Sequence, residues 1–234
     1  AGELTATGSA SITVENYSGE QVNTGKAFSM NDSVVLGGST ELDNGMTVSM
    51  SFELDNDNDA GSYDDRSVTI SSDALGTFKF SAHGGSTAVS AIDGTAAGDI
   101  FDNFDAQTLN ASATAETTTA AGTAAVLSTA GGNNTMLYTL PSIVDGLSVS
   151  ASYTPQGATT ESSVAYGATY TGVDGLSVSY GSGTNDAGAT DFKADVTTMK
   201  ASYAYGPITV AYSDHEFDSA TATRDQDTTS YSIA

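Results

Sequence analysis

The densest run of oxygen donors in this chain of 234 residues is Asp55-Asn56-Asp57-Asn58-Asp59-Ala60-Gly61. Carboxylates at alternate positions ahead of a glycine have the spacing with which a calcium loop begins, because a hard cation takes several carboxylate and carbonyl oxygens on a tight turn. The bidentate Glu that such a loop places about six residues after its glycine is absent, and no helical pattern flanks the segment. Asp55, Asp57 and Asp59 are therefore read first as a solvated loop and second as a calcium site, with weak bridging of divalent cations at an acidic rim between the two. No cofactor is required, and calcium is the one the sequence suggests.

Catalysis has little to build on. The two histidines, His83 and His215, are placed in different connections, and neither belongs to a metal pair or a nucleophile motif. Ser and Asp are so frequent that a triad can always be drawn, and frequency is no argument for one. Cysteine is absent, which removes thiol nucleophiles, Cys-ligated zinc and disulfides. Gly84-Gly85 and Gly131-Gly132 lack the lysine and the strand-to-helix setting of a phosphate loop. The chain is not expected to be an enzyme. Nucleic acid is excluded as a partner by charge: six basic residues against 29 acidic ones give a formal net charge of −23, and phosphate contacts need clusters of Lys and Arg.

The elements that carry these residues are strands. In residues 46–55, Met46, Val48, Met50, Phe52 and Leu54 share one face, while Thr47, Ser49, Ser51, Glu53 and Asp55 share the other. The same alternation recurs over 3–15, 27–42, 66–73, 77–83, 134–141, 146–154, 162–171, 175–181, 196–205, 208–214 and 227–234. One face is apolar throughout. The other is nearly all Ser, Thr, Ala and Gly, and packing it against a second layer would leave many hydroxyls in need of partners. Hydrophobic residues make up only 38% of the chain, yet the patterning is too regular for disorder. An antiparallel up-and-down transmembrane β-barrel resolves this, with its apolar side to lipid and its hydroxyl side to water. No apolar run is long enough for a transmembrane helix, which takes about 18 residues. No signal peptide begins at Ala1, so an exported protein would already have lost it.

Connections alternate in kind. Asp43-Asn44-Gly45, Ala74-Leu75-Gly76, Val144-Asp145-Gly146, Val173-Asp174-Gly175 and Gly206-Pro207 are tight turns, and between them lie longer polar segments. An up-and-down barrel puts all of the first kind at one end and all of the second at the other. Tyr153, Tyr170, Tyr180, Tyr205 and Tyr212 share parity with the apolar residues and sit late in their runs, as an aromatic girdle at headgroup level requires. The stretch 84–133 stands apart. It holds Asp93, Asp99, Asp102 and Asp105 among apolar anchors such as Ile100 and Phe104, then turns Ala/Thr-rich, and connections of this length are usually functional or disordered.

The strand pair Arg66-Ser67-Val68-Thr69-Ile70-Ser71 and Gly76-Thr77-Phe78-Lys79-Phe80, the long insertion after strand five, and the re-entry Asn134-Thr135-Met136-Leu137-Tyr138-Thr139-Leu140-Pro141 followed by Gly146-Leu147-Ser148-Val149 resemble the general porins of Gram-negative bacteria, particularly those of marine alphaproteobacteria. The resemblance spans the chain in strand order and about a third of it in motif. It implies a single porin domain over 1–234 in the cell outer membrane, a homotrimer among lipid and lipopolysaccharide, and passive diffusion of small hydrophilic solutes and ions. It also implies that the long loop, 84–133, folds inward and narrows the pore. Asp93, Asp99, Asp102 and Asp105 would then supply the acidic side of the constriction. Inward parity gives Lys79, His83 and Lys200 as the facing wall, and so few bases predict a preference for cations. Two departures stand: such porins have about sixteen strands and end on an aromatic residue, whereas about twelve strands are counted here and the chain ends at Ser232-Ile233-Ala234. The expectation is that about four C-terminal strands are missing, with a smaller barrel as the alternative.

The competing function is a secreted, acidic surface-structural or adhesive β protein, which would place apolar residues on facing sheets and vary its loops without regard to end. A barrel hydrolase would need a Ser/His pair at the lipid boundary, for which two histidines offer little.

Overall fold

The computed structural model describes residues 3–17, 25–55, 64–90, 92, 96, 132–157, 162–185, 194–219 and 225–233. Twelve strands follow one another: β1 (Glu3–Tyr17), β2 (Gly25–Glu41), β3 (Thr47–Asp55), β4 (Arg66–Ser72), β5 (Gly76–His83), β6 (Thr135–Thr139), β7 (Leu147–Thr154), β8 (Ser163–Tyr170), β9 (Leu176–Asn185), β10 (Ala194–Tyr205), β11 (Ile208–Ser219) and β12 (Gln226–Ile233). They form one sheet in which each strand pairs with the next in sequence, and every pairing is antiparallel. This is the up-and-down meander that the sequence pattern predicts.

The tight turns close on glycines at positive φ, from 59° at Gly206 to 78° at Gly45 and Gly76. At Gly76 a side chain is excluded twice over, since a Cβ would also come within 2.8 Å of the Pro141 nitrogen in the neighbouring turn. Because the turns are fixed, register is fixed, and register keeps each apolar set on one face. Met136 pairs with Tyr153, Tyr153 with Val164, Ala168 with Tyr180, Tyr180 with Met199, and Tyr212 with Tyr231. Tyr153, Tyr166, Tyr180, Met199, Tyr203, Val210 and Tyr231 are all exposed on this outer face.

Several strands run further than the alternation foretold, β9, β10 and β11 among them. β9 continues to Asn185, β10 starts at Ala194 and β11 continues to Ser219. The added residues include outward-facing Ser182, Thr184, Glu216 and Asp218, which with Asp214 break an apolar/polar pattern but still complete backbone pairs. Tyr180 and Tyr212 consequently stand within their strands rather than at the ends. They mark the upper edge of the apolar band, above which the outer wall turns polar. Tyr212 donates to Asp214 Oδ2 at 3.1 Å, and Thr229 donates to the same oxygen at 3.1 Å. At the turn end Tyr138 donates its hydroxyl to the Leu75 carbonyl at 2.6 Å.

The buried core lies on the inner face. Ala88, Val89, Ala165, Ala194, Val196 and Phe217 form it, with Leu137 packed against them. Val196, Phe217 and Leu137 are apolar residues on the face otherwise made of small polar ones. The expectation that this face simply meets water is therefore corrected for the wall from β6 to β11, where part of it is roofed by the segment after β5.

Candidate functional site

The inner wall is smoothest where the chain leaving β5 lies on it. Gly167 of β8 pairs with Gly181 of β9, and Gly181 pairs in turn with Thr198 of β10. These glycines form a groove: a Cβ on Gly167 would overlap the Ala88 carbonyl oxygen, and one on Gly181 would lie 3.1 Å from Val89 Cγ2 and 3.4 Å from Ile92 Cδ1. Val89 is fully buried there and Ile92 is 4% exposed.

Wall hydroxyls hold the same segment by its backbone. Ala88 N–H donates to Ser152 Oγ at 2.9 Å. Farther along, Ala96 N–H is shared by Ser213 Oγ at 2.9 Å and Ser230 Oγ at 2.7 Å, while Ser232 Oγ donates to the Ala96 carbonyl at 2.5 Å. Between these anchors the segment turns on itself, with Ser90 N–H bonded to Thr87 Oγ1 at 3.1 Å and Ile92 N–H to the Val89 carbonyl at 2.7 Å. Its return is tied beside its start by the reciprocal Gly85–Gly132 pair, at 2.9 and 2.8 Å. Buried backbone groups need partners, and on this wall the Ser and Thr side chains supply them.

Charge is gathered in another part of the same wall, around β3 to β5. Glu53 and Asp55 line a recess with Ser9, Ser11 and Ser33, where Ser9 and Ser33 share a hydrogen bond of 3.1 Å. Past the Phe52–Arg66 pair the β3–β4 pairing continues through Glu53, whose carbonyl accepts from Asp64 N–H at 3.0 Å and whose N–H donates to the Asp65 carbonyl at 2.8 Å. His83 Nδ1 lies 3.2 Å from Asp64 Oδ1 and 4.0 Å from Asp65 Oδ1. Burial, and then the neighbouring Asp64 and Glu53 carboxylates, push the Asp65 carboxyl above its ordinary value against the opposing pull of His83 and Lys79.

The residues named from sequence are distributed as follows. Lys79 pairs with Thr69 and Leu137, and Lys200 with Ser179 and Ser213, so both keep inward parity. His83 ends β5 beside the two rim acids. Arg66 faces Phe52 on β3 and, across a bulge, His83 on β5, which puts it at the rim. Asp55 ends β3, while Asp57, Asp59, Asp93, Asp99, Asp102 and Asp105 lie outside the described residues. His83 ends β5, as the strand over 77–83 and its inward parity predict, whereas the placing of His215 in a connection is corrected, since it belongs to β11. His215 is 3% exposed on the inner face, opposite Thr198 and Thr228. It falls inside a strand because β11 extends past the point where outward residues stop being apolar. Glu53, Asp64 and Asp65 were not singled out in the sequence. Glu53 carried a signal in its inward parity, but nothing local marked the two aspartates as neighbours of His83.

A family model described as Gram-negative porin matches residues 1–234. Among solved structures the chain is similar to several variants of the porin of Rhodopseudomonas blastica. One has a TM-score of 0.54 at 15% identity, another 0.52 at 16% and a third 0.53 at 16%, each with 99% of this chain and 88% of the other covered. At such identities these likenesses speak for the fold. No curated protein matches.

Proposed function

Because this chain belongs to the Gram-negative porin family, with its place in the outer membrane, we propose that it conducts small hydrophilic solutes and ions passively, with a preference for cations. Its fold is the antiparallel transmembrane β-barrel of that family. The observation that carries the reading is the segment after β5, fastened to the inner wall at Ala88 and again at Ala96. A backbone laid across the lumen side narrows the passage, and the charge lining a narrowing sets which ions pass. We assign the constriction to the stretch 84–133, with Asp93, Asp99, Asp102 and Asp105 on the loop and Lys79, His83 and Lys200 on the wall.

Cation preference is supported by the net charge of −23 and by Glu53, Asp55, Asp64 and Asp65 on the inner wall and rim. These fields act on permeating ions over about a Debye length, roughly 8 Å at physiological salt. A homotrimer in contact with lipid and lipopolysaccharide belongs to the same proposal, as does a channel that needs no cofactor and catalyses nothing.

Single-channel recording of the full-length, detergent-purified protein in planar bilayers under a salt gradient tests it. Ohmic steps in groups of three with a cation-selective reversal potential, reduced in Asp99→Asn/Asp102→Asn protein, are the expected result. Folded, membrane-extracted protein without channel activity would sink the conducting role and bring the surface-structural alternative forward.

A further inference from the structure

We propose that Asp64, Asp65 and His83 form a rim site for a first-row divalent cation of the zinc type. One ligand atom from each lies within 4.8 Å of the other two. A tetrahedral ion with bonds of about 2.0–2.1 Å holds its donors roughly 3.3 Å apart. The 3.2 Å between His83 Nδ1 and Asp64 Oδ1 already matches that edge, and a modest rotation of Asp65 closes the 4.0 Å one.

The imidazole separates this cluster from the acidic residues around it. One ring nitrogen with two carboxylates suits zinc and its first-row neighbours, whereas calcium and magnesium take oxygen ligands. His83 Nδ1 is screened from solvent and has no partner in hydrogen-bonding geometry, although it faces both carboxylates. A deprotonated Nδ1 at this distance from a carboxylate oxygen leaves its lone pair free to share an ion with that oxygen.

The scaffold is built rather than fortuitous. Asp64 and Asp65 are held by their two backbone hydrogen bonds to Glu53, and His83 is held at the end of β5. The next residue, Gly84, has φ +64°, and a Cβ on it would overlap the Asp65 carboxylate. Gly84 thus gives Asp65 the space to reach the imidazole. The crowding that raises the Asp65 carboxyl leaves negative charge that a dication would offset. The side chains of His83 and Asp65 are 42% and 55% exposed, so the rim side stays open for entry and for water as a remaining ligand.

Isothermal titration of the full-length, detergent-solubilised protein with zinc ion, in a buffer that does not chelate it, tests the site without reference to channel activity. One zinc per chain is expected, bound at least roughly tenfold more tightly than calcium or magnesium. His83→Ala and Asp65→Asn should each weaken zinc by about tenfold or more, whereas Asp55→Asn on the adjacent wall should not. Circular dichroism confirms that each variant retains its strands. Equal zinc binding by native and His83→Ala protein, calcium bound as tightly as zinc, or no saturable zinc binding would each overturn the proposal and leave only a diffuse acidic rim.

Discussion

The carbonyl oxygen of Ala88 occupies the space that a Cβ on Gly167 would need, so the chain leaving β5 rests on β8 only because residue 167 has no side chain. The contact joins a residue of the inner segment to one nearly eighty positions away in sequence. It sets how close that segment lies to the wall, and therefore how much lumen remains.

Gly167→Ala is expected to lift the segment from its groove. Overpacking of this kind costs about 1–3 kcal/mol. Displacement away from the wall is displacement into the passage, so single-channel conductance should fall while the far-UV spectrum stays that of a β protein. Unchanged conductance would mean that the segment does not bound the passage.

Removing both hydroxyls that hold Ala96 N–H, as in Ser213→Ala/Ser230→Ala, leaves that group without its wall partners, at a cost of about 1–3 kcal/mol if water does not replace them. Either single change should be mild, since the remaining serine still accepts. The double variant should show noisier open-channel current and faster protease cleavage within 84–133 than either single one.

Neutralising the acids near β3 should lower cation selectivity in proportion to charge removed. Glu53→Gln and Asp64→Asn are each expected to move the reversal potential toward zero under a salt gradient, and Lys79→Gln to move it the other way. The shifts should shrink as salt rises, because screening shortens the reach of each charge. A reversal potential indifferent to all three changes would place the filter elsewhere.

Acid should favour the rim as built. Asp65 has a folded-state pKa above its unfolded value, so the native state binds its proton more tightly. This carboxyl's unfavourable contribution is absent below the ordinary Asp value and develops as pH rises through the raised one. Asp65→Asn is therefore expected to melt no lower than the native protein at neutral pH, and the difference between them should narrow as pH falls toward about 4. Melting curves at several pH values measure this. The group is largely exposed and solvent screens it, so the effect should be small.

Legibility in the sequence followed the range of the interaction. Period-two alternation placed all twelve strands, since a strand between lipid and water must change character at each residue. Glycine-bearing turns gave the order, because tight turns allow only neighbouring strands to pair. The ends of β9 and β11 were missed for the same reason that the middles were found. Above the apolar band the outer face carries Ser182, Asp214 and Glu216, so alternation ceases while hydrogen bonding continues.

Spacing alone could give Lys79 and Lys200 inward parity and the run of tyrosines outward parity. What no spacing reveals is which wall positions receive the inner segment. Ser152, Gly167, Gly181, Ser213 and Ser230 look like any other small residues of the hydroxyl face, and they become a seat only when the chain after β5 is brought across them. The meeting of His83 with Asp64 and Asp65 is of the same kind. The amino-acid sequence by itself determined strand, face and order, because those depend on each residue's own polarity and its immediate neighbours. Tertiary structure alone decided the seat of the inner segment and the His–Asp–Asp cluster, because both require residues from strands whose juxtaposition is set by register across the curved sheet and not by any local pattern.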